Sequence, residues 1–124
     1  MPAGPSEVYV VSDDIEKVDI IASDMLSQLE HSIDAKAVLI SKNKKLLKDI
    51  KTTIYNQKES LNRQSILNES IKNTYLVKAK NDKEIINFIN DNAPEHLILI
   101  DDDFVKIAPY VNNCLLYTSP SPRD

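Results

Sequence analysis

Residues 7–29 read EVYVVSDDIEKVDIIASDMLSQL, and this stretch decides the fold. Its opening run, Glu7 to Val11, is β-branched and aromatic and is bounded by turn residues, the pattern of a buried strand. Behind it, Asp13 with Glu16 three residues on predicts a capping box. Ile15, Val18, Ala22, Met25 and Leu29 then recur at helical spacing as one apolar stripe that ends near His31. A strand followed at once by an amphipathic helix is half of an α/β unit.

The same alternation continues outward. Ala35 to Ile40 predicts a second strand, and Ser41 is expected to cap a helix whose stripe is Leu46, Leu47, Ile50 and Ile54. A short helix is expected over Asn62 to Lys72, and a third strand over Thr74 to Lys78. Asn81 with Glu84 predicts another capped helix, over Ile85, Ile86 and Ile89. Pro94 ends it and biases Ala93 towards an extended backbone, which puts Glu95 and His96 on a stiff turn before a strand from Leu97 to Ile100. The expected fold class is α/β: a Rossmann-like partial domain with alternating strands and helices and a mainly parallel sheet, incomplete as it stands.

Composition narrows the function. A chain of 124 residues allows one domain and not two. With 15 Lys+Arg against 19 Asp+Glu the net charge is −4, and the lysines lie scattered among acids, so a nucleic-acid partner is not expected. No apolar run approaches a membrane span and the N-terminus lacks a signal-peptide pattern, so a cytoplasmic protein with no membrane partner is expected. Gly4 is the one glycine, which rules out both GxGxxG and a P-loop. Cys114 is the one cysteine, which rules out an internal disulfide or a cysteine-rich metal site.

At residue 114 the composition breaks into CLLYTSPSPRD, a Ser/Pro-rich end to a Lys/Asn/Ile-rich chain. This string resembles the in-frame translation of a transposon sequencing adaptor. Residues 1–113 are therefore expected to be the partial α/β domain, and residues 114–124 a non-native tail that packs against nothing.

Three groups of residues could carry chemistry. Asp24, Gln28 and His31 are spaced by four and three and share one helix face, away from the Met25/Leu29 stripe. Imidazole is a good zinc ligand and an amide oxygen a weak one, so this spacing alone is a poor metal signature and a solvated helix face is the simpler reading. Glu95-His96 sets a carboxylate beside an imidazole at a strand start, which suits general acid/base work near neutral pH, although an exposed turn would look the same. Asp13-Asp14 after the first strand would suit the acidic Mg²⁺ pocket of a receiver-like signalling domain, with Asp82 as the acceptor; helix capping explains Asp13 more simply.

Ala3-Gly4-Pro5-Ser6-Glu7-Val8, followed by Ala22-Ser23-Asp24-Met25-Leu26-Ser27-Gln28-Leu29-Glu30-His31, resembles the long signature of the histidinol dehydrogenase family. Ala93-Pro94-Glu95-His96-Leu97 resembles that family's second motif, at the expected distance downstream. The resemblance implies an NAD- and zinc-dependent oxidation of L-histidinol, through an aldehyde, to L-histidine. It implies zinc ligation by Gln28 and His31, and substrate contact by Ser6, Gln28, His31 and His96. His96 would be the general base, and Glu95 would activate water for the second oxidation. It also implies a homodimer, with the NAD-holding residues and the remaining zinc ligands outside these residues. Met1 falls inside the signature, so sequence on both sides of this stretch is expected.

Overall fold

The computed structural model describes residues 6–111 and, as backbone, the strand Leu115–Thr118. Five parallel strands form one sheet: β1 (Glu7–Val11), β2 (Lys36–Ser41), β3 (Thr74–Lys78), β4 (His96–Leu99) and β5 (Leu115–Thr118), in the order β3-β2-β1-β4-β5. Helices α1 (Val18–Leu29), α2 (Lys44–Lys58), α3 (Gln64–Ser70), α4 (Asp82–Asn92) and α5 (Asp102–Val105) fill the connections. Parallel strands require such crossovers, and the crossovers cover both faces of the sheet.

The period of two along each strand divides the core. Val8, Val10, Ala37 and Leu39 face α1, α2 and α3, where they pack with Ala22, Met25, Leu29, Leu46, Ile50 and Leu67. Tyr9, Val11, Val38, Ile40, Leu97 and Leu99 face the other way, against Ile85 and Ile89 of α4 and Phe104 of α5. The predicted stripes are these core faces. Ile21 and Leu26 join them as fully buried residues outside the predicted α1 stripe, because two layers, the sheet and α2, press on that helix.

Local chemistry differs from expectation at the element ends. Asp14, not Asp13, caps the first helical segment, accepting from the Glu16 N–H at 3.0 Å through a 3-10 turn at Ile15–Lys17 that leads into α1. Asn43, not Ser41, caps α2 through the N–H groups of Lys45 and Leu46, because β2 continues through Ser41. At the end of α4, Ala93 is not extended: it takes a left-handed conformation at φ 45° and ψ 60°. There its N–H donates to the Ile89 carbonyl at 2.8 Å, so the helix terminus outweighs the bias that Pro94 imposes. His96 consequently lies in β4 rather than on a turn before it.

The expectation that residues 114–124 pack against nothing is overturned in part. Leu115–Thr118 runs parallel to β4, pairing His96 with Leu115 and Leu99 with Thr118. The outer edge of β4 presents a row of backbone donors and acceptors, and a short β-prone segment satisfies them whatever its origin. Cys114 and residues 119–124 lie outside the described residues.

Candidate active site

All strands start at one edge of the sheet, and α1, returning antiparallel to them, ends there too. Ser6 sits just before β1, its carbonyl accepting the Lys36 N–H at 2.9 Å, and its hydroxyl accepts a hydrogen bond from the Gln28 side-chain amide. That bond uses the amide nitrogen of Gln28 and turns its carbonyl oxygen into the ligand-capable end. His31 lies in the turn after α1, with Nδ1 2.9 Å from the Ser27 carbonyl and 3.2 Å from that of Gln28. Carbonyls only accept, so Nδ1 carries the hydrogen and Nε2 the lone pair.

Glu95 and His96 reach the same edge from the other side of β1. The Glu95 N–H donates to the Glu7 carboxylate at 3.2 Å, and His96 Nδ1 lies 3.3 Å from the Glu7 carbonyl, which assigns the Nδ1–H tautomer to this ring as well. Between the two side chains, Glu95 Oε1 is 3.9 Å from His96 Nδ1, within Coulombic reach but too long for a hydrogen bond. His96 pairs with Val8 and stands two residues before Ile98, which packs against the Val8/Val10 cluster, so His96 is on the α1 face of the sheet. The dipeptide Ser6-Glu7 is thus the junction: Ser6 bonds Gln28, while Glu7 bonds Glu95 and His96. His31 stands at the end of α1, and its Nδ1 contacts turn back onto its own helix terminus.

At the opposite edge the side chains are tied to one another. Open α/β sheets usually bind nucleotides at the carboxyl ends of strands, at the point where connections diverge, which in this sheet lies between β1 and β4. The turn there is Ser12-Asp13-Asp14, without glycine. Asp101 accepts from the Ser12 hydroxyl at 2.6 Å and the Asp13 N–H at 2.7 Å. Asp13 accepts from the Ser41 hydroxyl at 3.0 Å and the Lys42 N–H at 2.6 Å. Lys42 reaches Asp82 at 2.8 Å, and that hydrogen bond, reinforced by the charges of Asp82 and Asp13 against the cost of partial burial, raises its pKa above the usual lysine value.

The concavity beside this network, about 370 Å³, is lined by Asp13, Asp14, Asp101, Asp102, Asp103 and Lys17 and would repel a phosphate. The receiver-like alternative also fails at this edge. Its sheet order places the third strand next to the first, whereas β1 lies between β2 and β4, and Asp82 is engaged by Lys42 and, at 3.8 Å, by Lys106.

A profile of the histidinol dehydrogenase family matches residues 1–115. The chain belongs to the histidinol dehydrogenase family. It is 36% identical over 113 residues to the histidinol dehydrogenase of Bacteroides fragilis, covering 91% of this chain and 26% of that protein. It is 40% identical over 131 residues to the histidine biosynthesis trifunctional protein of Saccharomyces cerevisiae, covering all of this chain and 16% of that protein. The crystal structure of histidinol dehydrogenase from Elizabethkingia anophelis superposes with a TM-score of 0.88 at 30% identity, covering 95% of this chain and 28% of that one. The chain therefore spans about a quarter of the length of these bacterial relatives.

The donor set at the amino edge fits zinc as far as it goes. An imidazole whose Nδ1–H is held by backbone carbonyls presents Nε2 in the manner of metal-ligating histidines, and the Gln28 amide oxygen is a weak but admissible partner. Two donors are fewer than the three or four a zinc site uses, and among the described residues no group of three or more His, Cys, Asp or Glu could hold a metal. Two residues escaped the sequence reading as members of their edges. Glu7 looked only like the start of a strand, and Asp101 was hidden in a run of three aspartates whose place directly after β4 was the one usable signal.

Proposed function

We propose that the full-length enzyme containing this chain oxidises L-histidinol through the aldehyde to L-histidine, with NAD as oxidant, in the histidine biosynthesis pathway. The observation that carries this reading is the junction at Ser6-Glu7, which joins the Gln28 end of α1 to the Glu95-His96 pair at the start of β4. Gln28 and His31 would hold a zinc ion together with ligands from outside these residues, and its chemistry there is to anchor the nitrogen donors of the substrate. NAD, held by residues outside this chain, supplies the hydride acceptor.

The residues of this chain then divide the remaining work. Ser6 orients Gln28 and contacts substrate. His96 takes the alcohol proton on Nε2, the nitrogen that the Glu7 carbonyl leaves with its lone pair. Glu95 draws a proton from water as it adds to the aldehyde. Substrate contact by Gln28, His31 and His96 confines these steps to one locus. The family resemblance extends the proposal to a cytoplasmic homodimer; among the described residues no helix is long and apolar enough to cross a membrane. We also propose that residues 114–124 are foreign to the enzyme, which the genomic reading frame beyond residue 113 would test directly.

The assay is NADH formation from histidinol with added zinc, run on this chain and on the full-length enzyme. The full-length enzyme should turn over, and the 124-residue chain should show neither turnover nor tight zinc binding, for want of ligands and NAD contacts. Turnover by the short chain above the uncatalysed rate overturns this division of labour.

A further inference from the structure

We infer that Glu7 is a positioning residue for the second oxidation, holding Glu95 through its side chain; this rests on the proposed roles of Glu95 and His96. Glu7 acts through two separate groups. Its carboxylate accepts the Glu95 N–H at 3.2 Å, and its backbone carbonyl lies 3.3 Å from His96 Nδ1. The first contact depends on the side chain and the second does not.

That separation matters because the two residues serve different steps. His96 is held in ways that do not use the Glu7 side chain: its backbone pairs with Val8 in β1, and its ring meets the Glu7 carbonyl. Glu95 lies one residue outside the strand, after Pro94 and the left-handed Ala93, and its side chain is 56% exposed. The pairing of β4 with β1 begins at His96, so among the described residues it is the Glu7 carboxylate that fixes where the Glu95 peptide sits. In the second oxidation water adds to the aldehyde carbon, its proton passes to the Glu95 carboxylate, and a hydride then leaves the hydrated carbon for NAD. A displaced Glu95 slows that addition and leaves alcohol oxidation alone.

The test uses the full-length enzyme and two variants. Glu7→Met keeps the stem and loses the acceptor, whereas Glu7→Gln keeps an oxygen that can accept the same N–H. The first oxidation is read from the pre-steady-state burst of NADH with histidinol, and the second from NADH formation with the aldehyde supplied as substrate. Glu7→Met should lower kcat on the aldehyde about tenfold or more, the scale of losing an orienting partner, with KM unchanged if Glu7 acts through Glu95 alone. The first oxidation should change less than about twofold, and Glu7→Gln should restore the aldehyde rate.

Equal slowing of both oxidations would assign Glu7 a merely structural role and overturn the inference, as would an unchanged aldehyde rate in Glu7→Met. If Glu7→Met does not fold, Glu7→Leu is judged by the same ratio. Failure of the unsubstituted enzyme to oxidise histidinol would instead overturn the functional reading itself.

Discussion

The two edges of the sheet differ in what their polar groups are doing. At the carboxyl edge, Ser12, Asp13, Ser41, Asn43, Lys42, Asp82 and Asp101 satisfy one another across four strand ends, and Ser12 and Ser41 are fully buried. At the amino edge, Ser6, Gln28, His31, Glu95 and His96 are tied mainly through backbone carbonyls, amides and one another, and His31 and Glu95 are exposed. A Rossmann-like sheet would ordinarily use the first edge for its ligand. In this chain a hydrogen-bonded network closes that edge, and the proposed chemistry uses the other. Removing a group from the tied edge should therefore cost stability, and removing one from the open edge should cost activity.

The largest expected effect falls at the open edge. His96→Ala in the full-length enzyme should lower kcat for histidinol oxidation by about 10²- to 10⁴-fold, the usual worth of a positioned general base. Because its ring is 26% exposed and its backbone stays paired in β4, thermal stability should change by less than about 1 kcal/mol. A melting temperature that falls in step with activity would erase the distinction between the edges.

Asp101→Ala is the converse. It strips the acceptor from the buried Ser12 hydroxyl and the Asp13 N–H, and should cost about 2–4 kcal/mol, a large part of the stability of a small domain. Urea unfolding should show a lower midpoint at unchanged slope, while kcat per folded molecule stays within about twofold of wild type. Lost activity at retained stability would mean that the carboxyl edge takes part in the chemistry.

How much of this was legible follows from the range of each interaction. Strands β1 and β3 carry β-branched runs with polar flanks, and their predicted bounds are those observed. The apolar stripes of α2 and α4 were legible for the same reason, since periodicity is local. The caps at Asp13 and Ser41 were misassigned because those side chains are used across the sheet, Ser41 donating to Asp13 at 3.0 Å over 28 positions in sequence. Nothing in the local pattern distinguishes an aspartate that caps its own helix from one that braces another strand. Gln28 with His31 on one helix face, and Glu95 with His96 at a strand start, were legible as two separate pairs, and the two-motif resemblance supplied their grouping. The bonds through Ser6-Glu7 are long-range and needed the fold.

Between the edges in consequence lies Ala93. A left-handed alanine carries a penalty of about 1–2 kcal/mol that glycine does not, so Ala93→Gly relieves strain in the folded state. Part of that gain is offset by the greater freedom of glycine in the unfolded chain, leaving a net stabilisation of about 0.5–1 kcal/mol in urea unfolding. Since Ala93 precedes the Pro94-Glu95-His96 turn, the same substitution should leave kcat on histidinol within about twofold if backbone geometry is all that Ala93 supplies. A destabilised Ala93→Gly would show that the methyl group packs rather than merely tolerating its conformation.

The smallest effect belongs to Lys42, which tests whether the tied edge is held by charge or by its buried hydrogen bonds. Its ammonium bonds Asp82 at 2.8 Å and lies 3.7 Å from Asp13, but a third of the side chain remains in water, so Lys42→Met should cost less than about 1 kcal/mol. The raised pKa, due first to the Asp82 hydrogen bond, fixes the sign of the pH dependence. A folded value above the unfolded 10.5 means the contribution is fully present below about pH 10.5 and is lost as pH rises through the folded value. Urea unfolding from about pH 6 to 9 should therefore show a constant gap between wild type and Lys42→Met, closing only in strong alkali. A gap that is large or salt-sensitive at neutral pH would move the weight of this edge from the Ser12–Asp101 and Ser41–Asp13 bonds to its ion pairs, and the small cost predicted for Lys42 beside Asp101 would be the first number to fail.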